Sequence, residues 1–182
     1  MPDFITFDEL RSINQTIDQR AVLNEATRSR TGKNVFLSHS SKDAEFLPAV
    51  VRILEAHGAS VYVDLEDGSL PEEPSGETAA ILRAAINGCS RLVVFVTTNS
   101  KDSKWIPWEL GVGDGEKGPH RVALFPAAQQ TRDQKWANQE YLGLYGRIVW
   151  GPFKGKTESE WMVHNHHQNT ADPLRYWLGA SY

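Results

Sequence analysis

The sequence predicts an α/β fold: a doubly wound parallel sheet of five strands with helices on both faces. Three observations carry that expectation. Short runs rich in β-branched residues recur along the chain, segments with helical spacing of apolar residues separate them, and most of the runs are apolar throughout. A strand with one wet face alternates apolar and polar residues, whereas a strand covered by helices on both faces needs an unbroken apolar run. Strand and helix in alternation then give right-handed crossovers and a parallel sheet.

Residues 1–32 read as an N-terminal helical extension. Residues 7–28 place Leu10, Ile13, Ile17 and Ala21 on one helical face with Val22 beside them, and the polar stretch 28–33 (RSRTGK) leads into the first strand. That strand is 34–38 (NVFLS). Residues 43–57 then carry Phe46, Leu47, Val50, Val51 and Leu54 at helical spacing, and Gly58 just past them reads as a C′ stop. Pro48 argues against a regular first turn, so this helix is expected to start distorted or late. The second strand is 60–64 (SVYVD) and the second helix 77–87, ending at Gly88. The third strand is 91–97 (RLVVFVT), the fourth 121–126 (RVALFP), and the fifth, weaker, 147–150 (RIVW). Residues 33–150 thus form the sheet domain, in strand order 2-1-3-4-5. Residues 151–182 contain Trp161, Tyr176 and Trp177, too aromatic for a disordered tail, and are expected to dock as one or two short helices of the same domain.

A chain of 182 residues, 40% apolar and 23% charged, is long enough for one buried core and too short for two comfortable domains. The net charge of −4 is spread without long runs, and no cluster of Lys and Arg sits beside aromatic residues, so nucleic acid is not expected as a partner. Cys89 is the single cysteine, which excludes an internal disulfide and a thiolate metal cluster. The N-terminus has no basic stretch followed by an apolar one, and no apolar run reaches the length of a membrane span. A cytoplasmic protein without membrane contact is the expectation.

Ligands of open α/β sheets bind beyond the carboxyl ends of the strands, where strand order reverses. After the first strand come Ser38, His39, Ser40, Ser41, Lys42 and Asp43; after the second, Asp64, Glu66, Asp67 and a loop through Gly68 and Pro71 to Gly76; after the third, Thr97, Thr98, Asn99 and Ser100. The third loop leads into 105–109 (WIPWE), where Trp105 and Glu109, four apart, share one helical face. Pro107 is compatible with a helix starting near Ser103 or Lys104, because the first turn lacks backbone partners anyway. Each residue has a plainer reading. Trp105 could simply pack with Glu109 solvated, His39 could be an ordinary loop histidine, and Asp64 could cap its loop. Ser40 or Ser41 could cap the next helix, with Asp43 in its first turn. The convergence of all of them at one crevice argues for a ligand site.

The segments FLSHSSKD at 36–43, SVYVD at 60–64 with the loop behind it, and SKWIPWELG at 103–111 resemble the signature boxes of Toll/interleukin-1 receptor (TIR) domains, the bacterial branch most closely. The resemblance covers about residues 33–150 and implies a flavodoxin-like sheet of five parallel strands. Many TIR domains cleave NAD+ at the nicotinamide–ribose bond with the glutamate of a W-x-x-x-E pattern, which implies Glu109 as the catalytic residue and Trp105 as its indole. By the same resemblance Ser38 and His39 border the nicotinamide ribose, and Asp64 marks the strand end leading into the loop over the pocket. His39 stands where several relatives carry tyrosine. NAD+ is then a substrate, no cofactor or metal is needed, and the products are nicotinamide with ADP-ribose or a cyclic ADP-ribose isomer. A small stand-alone TIR protein resembles the signal-producing component of Thoeris-type anti-phage systems, which acts on a separate effector protein, and TIR domains self-associate. The alternatives are a non-enzymatic TIR–TIR assembly adaptor, which has no need of a carboxylate in the crevice, and a nucleoside deoxyribosyltransferase-like enzyme, which also uses a glutamate on such a sheet. Products formed from NAD+ and from deoxynucleosides separate the three.

Three motifs are set aside. Residues 113–118 (GDGEKG) match G-x-G-x-x-G, but they follow a helix and run into a strand, the reverse of a dinucleotide-binding loop. The histidines of 164–167 (HNHH) lack carboxylate or cysteine ligands at metal spacing and read as solvated or packed. Cys89 is expected in the core or at its edge.

Overall fold

The computed structural model describes residues 2–64, 76–135 and 140–179. A two-residue strand β1 (Ile5–Thr6) precedes the five runs, which form β2 (Val35–Ser38), β3 (Val61–Val63), β4 (Arg91–Val96), β5 (Val122–Ala128) and β6 (Gly146–Pro152). They lie parallel in the order β3-β2-β4-β5-β6, which is the 2-1-3-4-5 arrangement expected of the runs. Every residue of β2, β4 and β5 is buried, as unbroken apolar runs require. Successive side chains alternate between two cores. Val35, Leu37, Val93, Phe95 and Phe125 face α1 (Phe7–Thr16), α2 (Gln19–Arg28) and α3 (Leu47–Ala56), whereas Phe36, Leu92, Val94, Val122 and Leu124 face α4 (Gly76–Gly88) and α5 (Trp105–Lys117).

Local chemistry sets the element ends. Residues 41–46 form a tight 3-10 turn (Ser41–Phe46), and the regular α3 begins only at Leu47 with Pro48 in its first turn, so the helix starts late as the proline demands. Gly58 follows α3 with φ +97°, a conformation open to glycine at little cost. The N-terminal segment, read as one amphipathic helix, is two. α1 stops at Thr16, and the Asp18 side chain accepts a hydrogen bond from the Ala21 amide at 3.0 Å to start α2, because a short carboxylate is worth more as an N-cap than inside a helix. Leu10 of α1 and Ala26 of α2 are fully buried in the core.

The segment beyond residue 150 differs from expectation. Instead of one or two short helices, it forms β7 (Ser159–Asn165) and β8 (Thr170–Pro173), antiparallel to each other and to β6, and then one short helix, α6 (Leu174–Gly179). With β1 pairing along the end of β5, the five parallel strands become part of an eight-stranded mixed sheet. Aromatic side chains pair across an antiparallel ladder as readily as they pack along a helix: Trp150 lies opposite Trp161 with ring centroids 5.5 Å apart. α6 is tied back to the sheet by Arg91, whose Nε donates to the Trp177 carbonyl at 2.8 Å, and by Trp177 Nε1, which donates to the His120 carbonyl at 2.9 Å.

Candidate active site

The register pairs Leu37 with both Val63 and Val93, so Ser38 and Asp64 leave their strands at the same level, with β4 ending beside them. The chain then returns over this end of the sheet as α5, which begins at Trp105 and carries Glu109 in its second turn. The Ser38 hydroxyl donates directly to Glu109 Oε2, joining the first and third loops. Both side chains are buried, Ser38 at 1% exposure and Glu109 at 4%, which removes the reading of Glu109 as a solvated helix residue. A carboxylate taken out of water is costly unless hydrogen bonds hold it, and Ser38 supplies one. Trp105 is buried and meets the Trp108 ring edge-on at 5.5 Å, forming an indole wall on the same helix.

His39 is 4% exposed, not a loose loop histidine. Burial pushes its pKa down to about 4, against the pull of a hydrogen bond to the Leu37 backbone, so the ring is neutral at pH 7 and serves as donor or acceptor, not as a cation. Asp64, half-buried, is the first residue after β3. Glu66 and Asp67, on the loop behind it, lie outside the described residues. Ser38, Glu109, His39 and Trp105 are thus placed on adjoining segments, and Ser38 and Glu109 are bonded directly.

A second polar cluster braces these segments. Asp43 is fully buried and accepts hydrogen bonds from Thr97 Oγ1 at 2.8 Å and Asn99 Nδ2 at 2.6 Å. Thr97 Oγ1 in turn accepts from the Asn99 amide at 2.9 Å, and Ser100 Oγ accepts from the Thr97 amide at 3.0 Å. Burial raises the Asp43 pKa while Asn99 and Thr97 lower it. At the rim Lys42 and Asp102 pair at 2.9 Å. Asp43 is therefore more than a helix-start acid, and Ser40, at the cap position, offers its carbonyl to the Asp43 amide and no side-chain cap bond. Sequence reading put these residues on neighbouring loops but did not pair them, and no local pattern links positions 54 and 56 apart.

Compared with known protein families, residues 35–162 match the TIR domain. The chain belongs to the TIR-domain family. It is also 39% identical, over 147 residues, to a Bacillus cereus (strain MSX-D12) protein described as a probable 3′ cyclic ADP-D-ribose synthase ThsB′. That alignment covers 80% of this chain and 75% of the relative. The TIR match runs past residue 150 to 162, so the first half of β7 falls within it. Within the TIR fold the glycines of 113–118 have structural work. A Cβ on Gly113 would run into the Leu92 side chain of β4, and Gly118, at φ +79°, ends α5. Cys89 is buried and its thiol pushed up to about 11, far from a reactive thiolate. Among the described residues, no group of three or more His, Cys, Asp or Glu is arranged to hold a metal ion, and no helix is long and apolar enough to cross a membrane.

Proposed function

We propose that this TIR protein cleaves the nicotinamide–ribose bond of NAD+ with Glu109 as the catalytic carboxylate, releasing nicotinamide and forming ADP-ribose or a cyclic ADP-ribose isomer in anti-phage signalling. The observation that carries the reading is the buried Ser38–Glu109 pair at the carboxyl end of a parallel sheet. The likeness to a relative described as a cyclic ADP-D-ribose synthase supports the cyclising outcome.

Glycosidases need a second carboxyl group to protonate a departing oxygen. The pyridinium of NAD+ departs as neutral nicotinamide, taking the electron pair of the C–N bond, so no general acid is required. What remains is an oxocarbenium-like centre, and a fixed carboxylate in a water-poor site stabilises that charge and accepts hydrogen bonds from the ribose hydroxyls. Ser38 holds the carboxylate in place, Trp105 supplies an apolar wall, and His39 and Asp64 border the sugar. Attack by water gives ADP-ribose. Attack by a group of the ADP-ribose moiety itself gives a cyclic isomer, and the proton lost by the attacking group passes to Glu109 or to solvent.

Purified protein incubated with NAD+ is expected to release nicotinamide, resolved by chromatography and mass spectrometry. Glu109→Gln is expected to lower the rate by at least about 100-fold with an unchanged circular dichroism spectrum. Full activity in a folded Glu109→Gln protein would overturn the mechanism. Self-association through TIR–TIR contacts is part of the same proposal: activity per molecule rises with protein concentration, and a separate effector protein reads the product. Specific activity that is constant across dilution argues against assembly.

A further inference from the structure

Toward the β6–β7 edge of the sheet, β6 and β7 carry a cavity of about 460 Å³ between their face and the N-terminal segment, lined by none of Ser38, His39, Trp105 and Glu109. Its lining includes Arg147, His164 and His166, with Arg132 at the rim and Phe4 and Val149 as apolar walls. Arg147 and His164 are cross-strand partners in the β6–β7 ladder, so rigid backbone fixes the two beside each other. No Asp or Glu is among the described residues lining the cavity, although the chain as a whole carries a net charge of −4. The positive lining is therefore a local feature.

The hydrogen bonding has the same bias. Arg147 Nη2 lies 3.3 Å from His166 Nε2, and a guanidinium only donates, so Nε2 accepts and the ring proton sits on Nδ1. That Nδ1 is shielded from solvent and has no acceptor among the described residues. Burial together with Arg147 pushes the His166 pKa down to about 4, which keeps the ring neutral at pH 7. The rim Arg132 is held by Asp3 through Nε at 3.2 Å in an exposed pair, a contact that water and salt weaken readily. The charged side chains among the described lining residues are guanidiniums, which only donate, and the buried His166 Nδ1–H beside them has no acceptor among the described residues.

We propose that the cavity is a binding site, separate from the Glu109 crevice, for a phosphate-bearing small molecule of nucleotide size. Two guanidiniums suit a phosphate, which accepts bidentate, charge-assisted hydrogen bonds. The volume lies within the ordinary range of small-molecule sites, and a bare phosphate would leave most of it empty, whereas Phe4 and Val149 give a base or sugar an apolar surface. Salt dependence follows from the charge.

The test is a titration of the ¹⁵N-labelled full chain followed through the histidine ring signals, with adenosine 5′-monophosphate, inorganic phosphate and adenosine as separate probes. The monophosphate is expected to shift His166 saturably and to bind about tenfold more tightly than phosphate, while adenosine leaves His166 unmoved. Arg147→Gln is expected to weaken the monophosphate by about tenfold, with the amide spectrum away from β6 and β7 unchanged. Arg132→Gln, at an exposed position that does not threaten folding, weakens it as well. The inference is overturned by a His166 signal that does not move with millimolar monophosphate. It is equally overturned by equal affinity for monophosphate and adenosine or for monophosphate and phosphate, or by binding that neither arginine variant alters.

Discussion

Ser38 carries a sharp consequence for a single hydroxyl, because its bond to Glu109 is buried at both ends. Ser38→Ala removes a donor from a carboxylate that water does not reach freely. It is expected to slow nicotinamide release on the order of tenfold and to lower stability by about 1–3 kcal/mol, read by urea denaturation. His39 carries a pH dependence. Its pKa is about 4 in the folded chain against an ordinary 6.5, so between these values the unfolded chain binds a proton that the folded chain refuses. Stability is then expected to fall as the pH is lowered from 6.5 toward 4, by up to about 3 kcal/mol. The raised Asp43 works in the opposite sense just above 3.8 and offsets part of the loss, whereas His166 adds to it. His39→Gln should flatten the slope of urea midpoint against pH without abolishing it. A slope unchanged in that variant would mean that His39 is not the buried base responsible.

Between elements, the contact of α5 with β4 depends on Gly113. A methyl group there meets the Leu92 side chain, so Gly113→Ala is expected to destabilise by about 1–3 kcal/mol. Leu92→Val, which shortens the opposing side chain, should recover part of that cost, and the coupling can be measured as a double-mutant cycle of urea midpoints. The glycines of 113–118 show why motif and context must be read together: the same letters that spell a phosphate loop after a strand here serve helix packing and a helix stop. The five parallel strands were legible because valine, leucine and phenylalanine run unbroken through 92–96, with similar runs in the neighbouring strands, and only a strand covered on both faces has use for that pattern. Trp105 and Glu109 were legible because helical spacing puts them on one face. The β7–β8 hairpin was not, since aromatic content at 150–177 fits helix and strand alike. The signals available were turn residues: Gly155 at φ +83° between β6 and β7, and Asn169 at φ +51° between β7 and β8. The Asp43–Thr97–Asn99 brace was beyond reach for another reason, because pairing across more than fifty residues is decided by the register of the sheet and not by local sequence.

The whole molecule bears on whether the first thirty residues are a removable regulator of the site or part of the body that carries it. Phe4, Ile5 and Leu10 are buried at 7%, 4% and 0% exposure; Ile5 and Leu10 join the core under α3, and Phe4 joins the core on the opposite face. β1 adds two residues to the end of β5, and the Asp3 and Trp150 backbones exchange hydrogen bonds at 2.8 and 2.9 Å. Thr6 and Glu9 close a reciprocal capping box that fixes the start of α1. Burying three large apolar side chains contributes roughly 5–9 kcal/mol, comparable with the whole stability of an ordinary domain. Deletion of residues 1–30 is therefore expected to yield protein that is insoluble or unfolded by circular dichroism, rather than an enzyme released from inhibition. A soluble, cooperatively unfolding truncation with raised NAD+ cleavage would overturn this and make the segment a regulatory strap. The same truncation that unfolds the chain also removes Phe4 and Leu10 from opposite faces of one sheet. A milder variant, Leu10→Ala, separates the two ideas: a structural role lowers the unfolding free energy measured by urea denaturation by about 2–5 kcal/mol while leaving the rate of nicotinamide release per folded molecule unchanged, whereas an inhibitory role raises that rate.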